Sequence, residues 1–154
     1  MHNNKSNLIH LVLGHSYFVN VAGLLIGLLI DLFHHVRFYN TNLSYIGFLL
    51  IFVGPILIYW AQHTSRSGHH HKREDGPIWQ DFAHGPYKLT RAPTHLGIAL
   101  MILGLGFILG SYAVVITTLV AFAITRSVFI GKEEAILVEK FGDPYRTYQK
   151  KVRM

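Results

Sequence analysis

Apolar positions run along this chain in long blocks separated by short polar stretches, and block length carries the first inference. A helix needs about 20 mostly apolar residues to cross roughly 30 Å of hydrocarbon. Residues 8–33 supply one such block, and residues 43–61 a second. The second contains Pro55, which a membrane helix tolerates when neighbouring groups satisfy the freed carbonyl. Residues 62–91 are polar and rich in His, Gly and Pro. Residues 92–125 then hold no Asp, Glu, Lys or Arg over 34 positions. As a single helix that block would reach about 51 Å, more than ordinary tilts of about 20° absorb. A turn at Gly110-Ser111 divides it. Gly104, Gly106 and Gly110 then fit a tight hairpin, and Gly23 and Gly27 repeat the small-residue spacing in the first block.

The expected fold is all-α: a polytopic membrane protein with four transmembrane helices, the last two forming a tight helical hairpin, followed by short cytoplasmic C-terminal helices. Residues 1–154 form a single membrane domain, with spans at about 8–33, 43–61, 95–110 and 112–131. A cytoplasmic loop occupies 62–94 and a tail 132–154. In the tail, residues 132–140 read as a helix closed by Gly142, and Asp143-Pro144 has the N-cap and N1 pairing that starts another. Phe141, Tyr145 and Tyr148 are aromatics suited to the headgroup layer.

Charge fixes the expected orientation. Four crossings place both termini and the 62–91 loop on one side, and of 14 basic residues only Arg37 falls on the other. The positive-inside rule makes the basic side cytoplasmic. A net charge of +6 spread along membrane borders, without a recognition fold, removes most of the case for nucleic acid. Composition agrees with a membrane protein: 51% hydrophobic and only 14% charged, against about 25% charged in globular domains. With no cysteine there is no disulfide, thiolate metal site, cysteine nucleophile or cysteine lipidation. The first block lacks a small-residue cleavage site and reads as a retained anchor.

The hairpin returns the chain to the face it left. Arg91, Pro93, His95 and Gly97 thereby lie near Arg126, Glu133 and Glu134, and residues 126 and 133, seven apart, project from nearly the same side of a helix. A basic and acidic constellation at the cytoplasmic border, roofed by the 62–91 loop, suits a charged cofactor. Interfacial anchors and helix-end ion pairs, worth little each, are the plainer account of the same residues.

The C-terminal half, about residues 80–154, resembles the isoprenylcysteine carboxyl methyltransferase and phospholipid methyltransferase family of small integral membrane enzymes. The matching pieces are Gly85-Pro86-Tyr87, Arg91-Ala92-Pro93-Thr94-His95-Leu96-Gly97, and Glu133-Glu134-Ala135-Ile136-Leu137. They continue with Phe141-Gly142-Asp143-Pro144-Tyr145-Arg146-Thr147-Tyr148 and the basic Lys150-Lys151-Val152-Arg153. The resemblance implies methyl transfer from S-adenosylmethionine to a carboxylate or amine of a lipophilic substrate, with the lipid bilayer as the other partner and no metal. It implies a cofactor pocket from Tyr87, Pro93, His95, Leu96, Gly97, Glu133 and Glu134. Arg91, Arg126 and Glu134 become the catalytic candidates, the arginines orienting an anionic substrate group or the cofactor carboxylate. Two positions depart from the family pattern: its Arg-His-Pro histidine is Ala92 here, and its tyrosine is His95.

Eleven histidines raise a rival reading as a metal-dependent membrane lipid oxidase. Asp31-x-x-His34-His35 and His69-His70-His71, with His63 and His84, carry ligands suited to iron or zinc. The expected topology sets the two groups a bilayer apart, so one site cannot use both. A non-enzymatic scaffold of the same family is the other alternative.

Overall fold

The computed structural model describes residues 2–34, 37–67 and 78–152, with side chains described outside 2–14, 66–67 and 79. Among them the chain is helical throughout: α1 (His2–His34), α2 (Thr41–Ser67), 3-10 turns at Trp79–Asp81 and Gly85–Lys88, α3 (Pro93–Leu109), α4 (Tyr112–Ile124), a π turn (Thr125–Ile130), α5 (Gly131–Phe141) and α6 (Asp143–Lys151). No strand occurs among the described residues, only an isolated antiparallel bridge between Arg37 and Ser111.

Local chemistry sets the ends of α3. Pro93 opens it, where a fixed φ and a missing N–H cost nothing. Gly110 stops it in the left-handed region at φ 62°, its N–H reaching the carbonyls of Gly106 and Phe107. Ser111 then caps α4, its Oγ accepting the Val114 N–H at 3.2 Å. The turn is pinned from outside as well, because the Phe38 N–H donates to Gly110 O at 2.7 Å. These stops leave α3 only 17 residues, about 26 Å long. By length and composition three helices are able to cross a membrane: α1, α2 and the continuous helix that starts at Tyr112. That third helix runs 30 residues to Phe141, about 45 Å, so not all of it fits within the hydrocarbon. The charge-free run ends at Thr125 and the last apolar residues are Val128, Phe129 and Ile130; α5 carries Lys132, Glu133, Glu134, Glu139 and Lys140 and lies beyond them.

Small residues decide how the helices meet, as they must where lipid is as apolar as leucine. α2 and α3 cross antiparallel through paired glycines. A Cβ on Gly104 would lie 2.7 Å from Gly47 O, and one on Gly97 2.8 Å from Gly54 O. α1 lies against α4, with Gly23 facing Ala121 and Thr117, and Gly27 facing Val114 and Thr117. Gly104 therefore serves α2 and not the α3–α4 contact expected of it; Gly106, against Val114 and Val115, serves α4. The cause is that α3 is sandwiched. Positions 97 and 104, two turns apart, share one face, and 99, 103 and 106 share the other.

The C-terminal helices also differ from expectation in one detail of packing. Gly142, at φ 66°, ends α5 and also caps α6, which starts at Asp143. Tyr145 and Tyr148, expected in the headgroup layer, are 4% and 2% exposed. They form a core with Val152 against Phe82, Tyr87, Leu137, Val138 and Phe141. The segment before α3 folds onto α5 and α6 and covers them.

Gly104→Val inserts a branched side chain where two backbones touch. A stability loss of about 1–3 kcal/mol is expected, measured as a lower thermal midpoint in detergent, with Gly131→Ala, where a Cβ meets nothing within 4 Å, as the silent control.

Candidate functional site

On α1, Ser16 and Asn20 interrupt an otherwise apolar face four residues apart, so they stand one above the other. Both are fully buried and must find partners. The Asn20 Nδ2 donates to Ser16 O at 2.9 Å and to Thr125 Oγ1 at 3.2 Å. Thr125 is the first residue of the π turn. A π turn holds one more residue than an α turn, so it rotates everything after it by roughly 100° relative to a continuous α-helix. Residues 126 and 133 consequently part company. Arg126 is exposed and makes no ion pair among the described residues, while Glu133 and Glu134 turn inward. Across this turn Arg126 and Glu133 do not share the helix face expected from their seven-residue spacing.

The two glutamates meet the start of α3. Arg91 Nη1 lies 2.7 Å from Glu134 Oε1, both side chains 17% exposed, and Gln149 Nε2 of α6 donates to Glu134 Oε2 at 3.0 Å. His95, nearly buried, lies between α1 and α5. Its Nε2 is 2.8 Å from Ser16 Oγ and 3.6 Å from Glu133 Oε1. Tyr17 stacks on the imidazole with ring centres 5.7 Å apart. Below, the Tyr148 hydroxyl donates to Tyr87 O at 2.8 Å, tying α6 to the 3-10 turn that leads into α3. Residues from α1, the pre-α3 turn, α3, α5 and α6 thus converge on one polar cluster at one end of the bundle.

Its charges are not fully satisfied. Glu133 Oε1, Arg91 Nε and Asn20 Oδ1 are buried without a hydrogen-bond partner. Such atoms are costly to leave orphaned, and they mark positions where a ligand could bind. Glu133, beyond the apolar run, is pushed up to about 7, chiefly by burial and then by the neighbouring Glu134 charge. Burial likewise raises the phenols of Tyr87, Tyr145 and Tyr148.

The remaining expected site residues divide. Tyr87 and Pro93 border the cluster through the 3-10 turn and the first turn of α3. Gly97 faces α2, where a Cβ would meet Ile58 and Gly54; it is a packing glycine and does not reach the cluster. Leu96 lines an apolar cleft of about 170 Å³ with Ala99, Leu100, Leu103, Thr118, Leu119 and Phe122. A second cleft, of about 250 Å³, lies at the opposite end of α3, around Phe38–Thr41 and Ile108–Gly110. Neither joins residues 85–97 to 126–134, because there Arg91 and Glu134 close directly on each other. Of the expected roof, residues 68–77, with His69–His71, lie outside the described residues, as does His35. Asp31 pairs with Arg37 Nη2 at 2.9 Å. Ser16, Tyr17, Asn20 and Gln149 are participants that sequence reasoning missed. Polar residues inside an apolar span were the available signal for Ser16 and Asn20.

A family model described as phospholipid methyltransferase matches residues 43–144. The match takes in α2 to α5 and leaves α1 outside. No curated protein and no solved structure matches the chain.

Glu133 also generates a pH signature. Its folded value lies above the ordinary 4.5, so the folded state holds this proton more tightly than the unfolded chain. The stability it contributes is complete below about pH 4.5 and is lost as pH rises through about 7. Thermal midpoints measured in detergent from pH 5 to 8 should fall less for Glu133→Gln than for the parent; parallel curves would count against a buried, proton-holding Glu133.

Proposed function

The chain belongs to the phospholipid methyltransferase family, and from that premise we propose that it transfers a methyl group from S-adenosylmethionine to a lipophilic substrate. It is an integral membrane protein with apolar helices long enough to span. In this reading α3 is a fourth, short crossing, the whole chain is one domain, and both termini and the polar cluster face the cytoplasm. The observation that carries the proposal is the convergence of Arg91, His95, Glu133 and Glu134, from segments 35 or more residues apart, on one partly unsatisfied cluster.

The donor set fits the cofactor. A molecule carrying an ammonium, a carboxylate and ribose hydroxyls calls for carboxylate and guanidinium groups with spare valences. Glu133 Oε1 and Arg91 Nε have them. Glu133 and Glu134 are assigned to the ammonium or ribose, Arg91 to the carboxylate, and Tyr87, Pro93, His95 and Leu96 to the walls. The cofactor, when bound, supplies an electrophilic methyl group. The protein's share is alignment and exclusion of water, and the aromatic core of Phe82, Tyr145 and Tyr148 seals the polar end from the α6 side. Arg91 must exchange Glu134 for a ligand, since the two are in contact.

Charge balance favours an amine nucleophile over a carboxylate. A carboxylate nucleophile needs a free guanidinium, but Arg91 is already assigned to the cofactor carboxylate and Arg126 is exposed, away from the cluster. An amine needs a base to take its proton; with Glu134 serving the cofactor ammonium, Glu133, a carboxylate poised near 7, is matched to the base role. The lipophilic part of the substrate enters sideways from the bilayer, the Leu96 cleft lying on that route.

Calorimetry on detergent-solubilised protein tests the reading. Saturable binding of S-adenosylmethionine and of its demethylated product is expected, weakened at least about tenfold by Glu134→Ala, as removal of a buried charge partner implies. No saturable binding at millimolar ligand would leave the non-enzymatic scaffold as the better account.

A further inference from the structure

We infer that α1, which carries none of the family motif and lies outside the matched segment, is nonetheless a wall of the site, with Ser16 and Asn20 as positioning residues for His95 and the paired glutamates. The inference rests on the cofactor-binding reading above and assigns it two residues from outside the motif.

Three observations converge. First, Ser16 is wholly buried and its Oγ sits 2.8 Å from His95 Nε2. His95 stands where the family pattern has a tyrosine, and an imidazole differs from a phenol in presenting two ring nitrogens whose roles depend on what each one meets. Ser16 meets Nε2, the same nitrogen that faces Glu133 Oε1 at 3.6 Å. The hydroxyl therefore fixes both the ring angle and which nitrogen is turned to the carboxylate. Second, Tyr17, the next residue on α1, stacks on the flat face of that imidazole with ring centres 5.7 Å apart, which restricts the tilt of the ring as well. Third, Asn20 bonds Thr125 at the head of the π turn. That turn sets the direction in which Glu133 and Glu134 project. One face of α1 thus holds both halves of the cluster, the α3 side through Ser16 and the α5 side through Asn20.

A purely structural role for these residues would be felt in stability alone, and a positioning role is felt at His95. The experiment uses the full chain in detergent with ring-15N-labelled histidine, the His95 signals being identified by their loss in His95→Asn. In protein without ligand, Ser16→Ala should move the His95 ring nitrogens, and Ser16→Thr, which keeps the hydroxyl, should restore them. With S-adenosylmethionine as the probe, Ser16→Ala should weaken binding roughly tenfold, the effect of one lost hydrogen bond in a buried site, while Ser16→Thr binds as the parent does. Asn20→Leu should weaken binding while moving the His95 signals less than Ser16→Ala does, because it acts through the π turn and leaves the Ser16 contact in place. If Ser16→Ala does not fold, Ser16→Cys, of similar size and weak hydrogen-bonding power, carries the same expectation. Unmoved ring signals together with parental binding in a folded Ser16 variant would overturn the inference. Failure of the parent itself to bind would instead overturn the cofactor reading, and the ring signals would still report whether Ser16 holds His95.

Discussion

In hydrocarbon an unpartnered backbone group costs several kcal/mol, and an unpartnered side-chain charge costs more. The positions of the described polar residues within the apolar helices reflect that cost. Where polar groups lie within the apolar helices, they are tied locally. The Thr117 and Thr118 hydroxyls donate back to carbonyls one turn earlier on α4, and Asn20 bonds both its own helix and Thr125. Two pairs of opposite charge sit at the ends of the bundle, Asp31 with Arg37 at one end and Arg91 with Glu134 at the other. The helices can supply those pairs only because glycine lets them approach to backbone contact, bringing the ends of distant segments within reach of one another.

At the Arg91 end the pairing is incomplete. Two carboxylates share one guanidinium and one imidazole, leaving Glu133 with a carboxylate oxygen that nothing donates to and a proton it holds to about neutrality. A cluster built only for stability would gain from replacing such groups with apolar ones. Keeping them is sensible where a ligand with its own charges completes the set. The same cluster is closed by the direct contact of Arg91 with Glu134.

Much of this was legible beforehand, and the limits have physical causes. Helix positions followed from apolar block length, with α3 and its Gly110-Ser111 stop read from one charge-free stretch. The company of Arg91, His95, Glu133 and Glu134 followed from that stop together with the motif resemblance. Helix partners did not follow: Gly97 and Gly104 carry no side chain to say which neighbour they serve, and α3 has neighbours on two faces. The π turn was illegible, because nothing in the sequence Thr-Arg-Ser-Val-Phe-Ile marks one extra residue in a helical turn, and Arg126 was misplaced as a result. Ser16 and Asn20 were visible as polar residues in a span, but their partners lie 79 and 105 residues away.

The extra residue in the turn at 125–130 makes the chemistry depend on counting. Between the reversal at Gly110 and the paired glutamates, removing one residue while the turn keeps its π geometry would swing Glu133 and Glu134 by about 100° away from Arg91 and His95, whereas removing the bulge residue itself would leave them facing the same partners.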